Sequence, residues 1–317
     1  MSKRSQLMNA WRVMIGDDNP LQLKRIPIPQ PAADGVLVKI LAMGVCHTDC
    51  FIRDTKEPRP GDPAEFTLGH EGADEIVELG RHVSLEAFAL GDKVAIHIIP
   101  GCKDCPTCKI GLNRICQSQR RGGYGLGRDG MFQEYAHVRA DACVQVPEGV
   151  AIEQAAISSD ALLTAYHAVK NVAEVKPGQT IAVIGLGGLG LNGLQIAQHL
   201  GASRILVVDK RQESVGLATS LGTPSEDAFQ MVKEQGILVD IVIDFVGHEQ
   251  TVLTAQRIVR AAGLIVLLLA NGSVRPEIET GSIKDLPQVL KDLDEGKYQG
   301  RKALLPDWVD AAVRDPL

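Results

Sequence analysis

Ile181-Ala-Val-Ile-Gly-Leu-Gly-Gly-Leu-Gly190 reads as a buried strand that turns directly into a helix. Ile181 to Ile184 is a continuous apolar run rich in β-branched residues, as a strand covered on both faces requires. Glycines follow at 185, 187, 188 and 190, and a helix fits Leu191 to Leu200. Glycine permits the tight turn and lets the backbone approach a pyrophosphate, while the helix N-terminus behind it offers free amide donors and a partial positive charge. A second strand fits Arg204 to Val208 and ends at Asp209, nineteen residues after Gly190. A carboxylate there accepts hydrogen bonds from a ribose hydroxyl and repels a 2′-phosphate, which favours NAD over NADP. Lys210 and Arg211 soften that preference. The alternative, a glycine turn that binds no nucleotide, has to set aside the whole strand-turn-helix-strand-Asp context.

Outward from this stretch the texture divides the chain. Downstream, strands fit Ile241 to Asp244 and Leu264 to Leu269, and their alternation with helical segments predicts a parallel sheet. Upstream, apolar residues recur at helical spacing from Glu153 to about Val175. Before that lie short strand candidates, Gly35 to Met43, Ile76 to Glu78 and Lys93 to Ile99, punctuated by Pro27, Pro29, Pro31 and Arg59-Pro-Gly61. The first half is an irregular, mostly β domain, and 317 residues suit two domains. With 45% hydrophobic and 23% charged residues the chain has an ordinary globular composition. A net charge of -6 without a basic stripe argues against nucleic acid and anionic membranes as partners. Met1 to Trp11 lacks the apolar stretch of a secretory signal, and the longest strongly apolar run, Leu264 to Ala270, is too short to span a bilayer. Both point to a cytoplasmic protein.

Four of the seven cysteines form Cys102-x2-Cys105-x2-Cys108-x7-Cys116. Four thiolates at that spacing suit one tetrahedral zinc in a closed, structural site. Free cysteines tend to be apolar and buried, yet this segment is rich in Lys, Asp, Asn and Arg, which favours metal over four idle thiols. A second donor set is spread along the chain. Gly44-Val-Cys46-His47-Thr48-Asp49 follows a strand, and Gly69-His70-Glu71-Gly72 comes some two dozen residues later. A thiolate, an imidazole and a carboxylate leave a fourth position on zinc exchangeable, as catalysis requires.

Together these pieces closely resemble the zinc-containing medium-chain alcohol dehydrogenase family. The likeness runs from about Leu7 to about Gly272 and resumes at Gly300-Arg301. It implies a GroES-like, mostly β catalytic domain (residues 1–160, with 286–317 returning to it) and a doubly wound Rossmann NAD-binding domain (161–285). Two zinc ions and NAD are implied as cofactors, and a small alcohol or aldehyde as substrate. Cys46, His70, Glu71 and Asp160 would hold the catalytic zinc, with Asp160 at a place that is often Cys. The residue-level alternative for Asp160 is a helix N-cap. Asp49 would hold His70 in its tautomer, Thr48 would take the alcohol proton, and His47 and Arg301 would face the cofactor. The resemblance implies reversible hydride transfer between an alcohol and NAD. A reductase of conjugated or imine substrates is the runner-up, and a catalytically impaired, zinc-stabilised member a third reading. Phe51, Phe66, Leu68 and Ile99 are expected near an apolar pocket.

Three departures stand out. Phe51 occupies the position of a relay histidine, Asp74 stands where the family signature has glycine, and the cofactor domain looks shortened at its sheet edges. Gly222-Thr-Pro-Ser-Glu226 leaves no room for a good third strand, and helices are expected at Leu217 to Leu221 and Asp227 to Lys233. The usual dimer edge is therefore expected to be disrupted, though a homo-oligomer is retained as an expectation.

Overall fold

The computed structural model describes residues 7–59, 61–118, 122–220, 225–227, 238–259, 278–298 and 301–308. The chain divides into two compact units. The first is Met1–Ser159 with Glu279–Tyr298 and Lys302–Leu317, and the second is Asp160–Ile278 with Gln299–Arg301.

The first unit is built on strands β1 (Leu7–Met14), β2 (Leu21–Pro27), β3 (Gly35–Val45), β4 (Glu65–Thr67), β5 (Glu71–Leu79), β6 (Lys93–Ile96), β7 (Gly123–Tyr124), β8 (Gly127–Arg128), β9 (Tyr135–Arg139) and β10 (Cys143–Gln145). β2, β1 and β4 form one antiparallel sheet, and β10, β6, β5 and β3 run in that order through a second, with β9 also pairing β3. β3 organises the unit because it is buried on both faces. Val36, Val38 and Ile40 join Trp11, Ile76, Val94 and Phe132 in the main core. On its other face Ala42 meets Ala73, Ala155 and Ala156. These small side chains let the helix Ile152–Ile157 lie close against β3 and β5. A register shift between Ile40 and Ala42 then turns Met43 and Val45 into the core and sets Gly44 opposite Glu71.

The returning segment completes this unit. β15 (Ile278–Ser282) and β16 (Arg301–Leu305) extend the second sheet beyond β3, with Lys302 opposite Val45 and Leu304 opposite Met43. The helix Leu286–Asp294 lies between them in sequence and buries Leu286 and Leu290 completely. Trp11 Nε1 donates to the Ile283 carbonyl at 3.0 Å. Glu279–Tyr298 belongs to this compact unit, and β15 pairs with β16 at the edge of its sheet.

The second unit is a parallel sheet in the order β13 (Ser225–Asp227), β12 (Arg204–Val208), β11 (Thr180–Ile184), β14 (Ile241–Asp244). This is the 3-2-1-4 portion of a doubly wound sheet. Ile181 and Val183 face one apolar cluster, Ala182 and Ile184 another, so β11 is covered on both sides. Helices Gly188–His199, Gln212–Ser220 and Glu249–Ile258 accompany the strands. One expectation is corrected here. A third strand does exist, since Ser225–Asp227 pairs with Ile205–Val207. Its polar residues carry no strand pattern, and the pairing comes from the exposed edge of β12. The expected strand Leu264 to Leu269 and most of the helix Asp227 to Lys233 lie outside the described residues. Among those described, no helix is long and apolar enough to cross a membrane.

Candidate metal centres and dinucleotide turn

Cys46 directly follows β3 and is the N-cap of the helix His47–Asp54. Its backbone N donates to Asp49 Oδ2 at 2.9 Å, and the other oxygen, Asp49 Oδ1, lies 3.1 Å from His70 Nδ1. Asp49 is completely buried and His70 nearly so. One carboxylate thus fixes the Cys46 backbone and the His70 ring, and turns His70 Nε2 away from it as the nitrogen that can coordinate a metal. Glu71 opens β5 beside His70 and is also fully buried. A Cβ at Gly44 would overlap the Glu71 carboxylate. Only glycine at 44 leaves room for that side chain, a requirement the sequence signals only as a glycine at a strand end.

Asp160 comes from the helix that begins at Ile152. Past Ile157 the helix widens into π-type turns over Ser158–Leu162 and again over His167–Val172. Such widenings recur at functional sites. Asp160 lies within this helix, whose N-cap is Ala151, so the capping alternative is excluded. Its Oδ1 accepts from Thr164 Oγ1 at 2.7 Å. One ligand atom each from Cys46, His70, Glu71 and Asp160 lies within 4.8 Å of all the others. Ligand atoms on one tetrahedral zinc lie roughly 3.3–3.7 Å apart, so the four need only draw together to share one ion. Thiolate, imidazole and carboxylate are all accepted zinc donors.

Thr48 Oγ1 lies 3.6 Å from Cys46 Sγ. His47 is exposed and borders a surface hollow of about 430 Å³ with Cys50, Phe51, Asp54, Thr55 and Asp294. Phe51 is 75% exposed, and its ring has no proton to pass. Phe66 and Leu68, expected near a substrate pocket, belong to the main core instead. The side chain of Arg301 lies outside the described part of the structure.

The sulfurs of Cys102, Cys105, Cys108 and Cys116 also gather within 4.8 Å. Cys102 and Cys108 Sγ are 3.9 Å apart, as are Cys105 and Cys116 Sγ. Four sulfurs on a tetrahedral zinc would be about 3.8 Å apart. The Thr107 hydroxyl and the backbone N–H of Cys108 pull the Cys105 thiol down to about 5, while burial pushes Cys108 up to about 11.

In the second unit, Gly185 takes φ +84° and Gly190 packs so closely that a Cβ would overlap the Gly185 carbonyl. Phe245 lies against Gly193. Gly187, the N-cap of the helix that Gly188 begins, differs, because a Cβ there would meet no described atom within 4 Å. No neighbour among the described residues requires glycine at 187, and the space over this helix N-terminus is of the kind that lets a backbone approach a pyrophosphate. Asp209 Oδ2 accepts from Leu186 N at 2.7 Å, and Oδ1 accepts from Arg211 N at 2.8 Å.

Residues 32–148 match the family described as alcohol dehydrogenase GroES-like domain, and residues 188–287 match zinc-binding dehydrogenase. The chain is 30% identical to alcohol dehydrogenase 1 of Emericella nidulans, over 90% of its own length and 94% of the relative's. It is 32% identical to an alcohol dehydrogenase of Geobacillus stearothermophilus, over 88% and 87%. Among solved structures, acetophenone reductase from Geotrichum candidum in complex with NAD aligns with a TM-score of 0.83 at 28% identity, covering 96% of this chain and 98% of that one.

Proposed function

The chain belongs to the zinc-type medium-chain dehydrogenase/reductase family and is an oxidoreductase of small molecules, and from that premise we propose that it is an NAD-linked, zinc-dependent alcohol dehydrogenase. The observation that carries this reading is the convergence of Cys46, His70, Glu71 and Asp160 in a chain that also keeps open space over Gly187. In this reading the first unit is the catalytic domain and holds a second, structural zinc on Cys102, Cys105, Cys108 and Cys116. The second unit binds NAD along Gly185, Gly187, Gly188, Gly190 and Asp209. Bound there, zinc supplies a Lewis acid for an alcohol or carbonyl oxygen and NAD supplies the hydride acceptor. The Asp49 carboxylate holds the Nδ1 proton of His70 and keeps the opposite nitrogen aimed at the metal position. The Thr48 hydroxyl, beside Cys46 Sγ, takes the proton that an alcohol must lose. With Phe51 unable to accept it, that proton would pass from Thr48 to water.

The direct test is zinc per chain together with NADH binding on the purified full chain. Two zinc ions and saturable NADH binding are expected, followed by turnover in a screen of alcohols, aldehydes and ketones read by NADH absorbance. One zinc, or two without NADH binding, would turn the reading toward an impaired, zinc-stabilised member. Turnover confined to conjugated or imine substrates would turn it toward a biosynthetic reductase. Asp49→Asn is expected to weaken metal binding at Cys46 and His70 about 10–100-fold while the cysteine loop keeps its ion. Competition against a chromophoric chelator reads this, and unchanged affinity would remove Asp49 from its bracing role.

A further inference from the structure

Three Ser and Thr hydroxyls lie along the widened helix around Asp160. Ser158 Oγ donates to the Ala155 carbonyl at 2.6 Å and Ser159 Oγ to the Ala156 carbonyl at 2.7 Å, so both serve the backbone. Threonine in a helix commonly does the same with the carbonyl four residues back. Thr164 acts differently. It stands four residues after Asp160, in the α-helical turn Leu163–Tyr166 between the two π-type stretches. Its Oγ1 donates to the Asp160 carboxylate at 2.7 Å. Thr164 is exposed, so the loss of its hydroxyl alone would leave the packing of the helix intact.

A carboxylate is a less determined metal ligand than a thiolate. A thiolate has one donor atom, placed by the rotamer of its Cβ. A carboxylate turns about a broad terminal torsion and can bind through one oxygen or through both. A hydrogen bond to one oxygen fixes that turn, and carboxylates that hold metals are commonly braced in this way. Asp160 supplies one ligand atom to the group it forms with Cys46, His70 and Glu71. We propose that Thr164 is a positioning residue for this metal centre: its hydroxyl sets the rotation of the Asp160 carboxylate, so that a zinc ion is met through a single oxygen. Asp160 and Thr164 then act as one unit, ligand and brace, on the same face of one helix. This inference rests on the zinc centre proposed above.

The test is the zinc affinity of the full chain, read by competition against a chromophoric chelator, for the wild type, Thr164→Val and Thr164→Ser. Valine keeps the branched shape and drops the hydroxyl, whereas serine keeps the hydroxyl. Thr164→Val is expected to weaken zinc at the Cys46 and His70 centre about tenfold, while the cysteine loop keeps its ion. Thr164→Ser should stay close to the wild type. With cobalt in place of zinc at this centre, the visible spectrum should change in the valine variant and not in the serine one. In an Asp160→Cys background the ligand has a single donor atom, so Thr164→Val should there leave the affinity unchanged. The proposal is overturned if Thr164→Val binds zinc as tightly as the wild type, if its cobalt spectrum is unaltered, if serine is as weak as valine, or if the loss persists beside Asp160→Cys. If the wild type holds no ion at Cys46 and His70, the zinc reading itself falls and takes this inference with it.

Discussion

Asp74→Asn is expected to raise the thermal midpoint of the first unit at neutral pH, and to do so less and less as the pH is lowered. Asp74 is completely buried on β5, where it pairs with Ile40 and Val94, and neither carboxylate oxygen has a hydrogen-bond partner among the described residues. Burial pushes its carboxyl well above the usual carboxylate range. The titratable group that feels it is the buried Cys143 thiol on β10, pushed up to about 12 by burial first and by Asp74 second. A group whose folded-state value is raised binds its proton more tightly when folded. Its penalty is absent below the unfolded value of about 4 and grows as pH climbs from there toward the raised folded value. Asparagine cannot ionise and is otherwise as unpartnered as the protonated acid, so the two proteins should converge near pH 4. Above about pH 4 the acid folds only by taking up a proton or by burying its charge, which costs about 1.4 kcal/mol per pH unit up to the raised folded value. For a unit of this size that corresponds to a midpoint several degrees higher for the variant at pH 7, about 2–4 °C per kcal/mol. Melting curves followed by circular dichroism from pH 4 to 9 would show it. A difference that stays constant across that range would mean that Asp74 does not titrate in the folded chain.

The second large effect separates the two metal centres. Cys46→Ala and Cys105→Ala should each reduce bound zinc from two to one, yet with opposite consequences. The cysteine lobe has little apolar core of its own, since Ile110 and Ile115 are 72% and 53% exposed. Its shape therefore depends on the ion, whose binding energy becomes folding energy. Cys105→Ala is expected to loosen the backbone around the already exposed Lys103, Lys109 and Arg114, so that trypsin cuts there, and to lower the midpoint by several degrees. Cys46 sits at the end of a strand held by neighbours on both sides, β5 and β16. Cys46→Ala should abolish turnover while shifting the midpoint by no more than about 2 °C, the scale of ~1 kcal/mol or less. Zinc content, limited proteolysis and melting of the two variants distinguish these outcomes. Equal protease resistance in both would contradict a structural role for the lobe.

Some of this was written locally in the chain. The apolar run and glycines of 181–190 dictate β11, the turn and the helix that follows. β12 and β14 lie where their apolar runs predict. The cysteine spacing brings four sulfurs together because few residues separate them. Backbone conformation and side-chain period are settled within about ten residues, so the sequence by itself determined the glycine turn, the parallel sheet and the compact thiol cluster. Other features depend on partners far away in sequence. The three polar residues of β13 form a strand only because the edge of β12 is open to them. Asp160 falls within a widened helix rather than at its cap, and Glu71 has its place because Gly44 lacks a side chain. Phe66 and Leu68 are core rather than pocket, and Arg211 is tied to Asp209. The return of the chain to the first unit is anchored by a hydrogen bond from Trp11 to Ile283, 272 residues apart. Only the tertiary structure decided these, because burial and partnership are properties of surfaces that meet after the chain has folded, and no local pattern records which surfaces those will be.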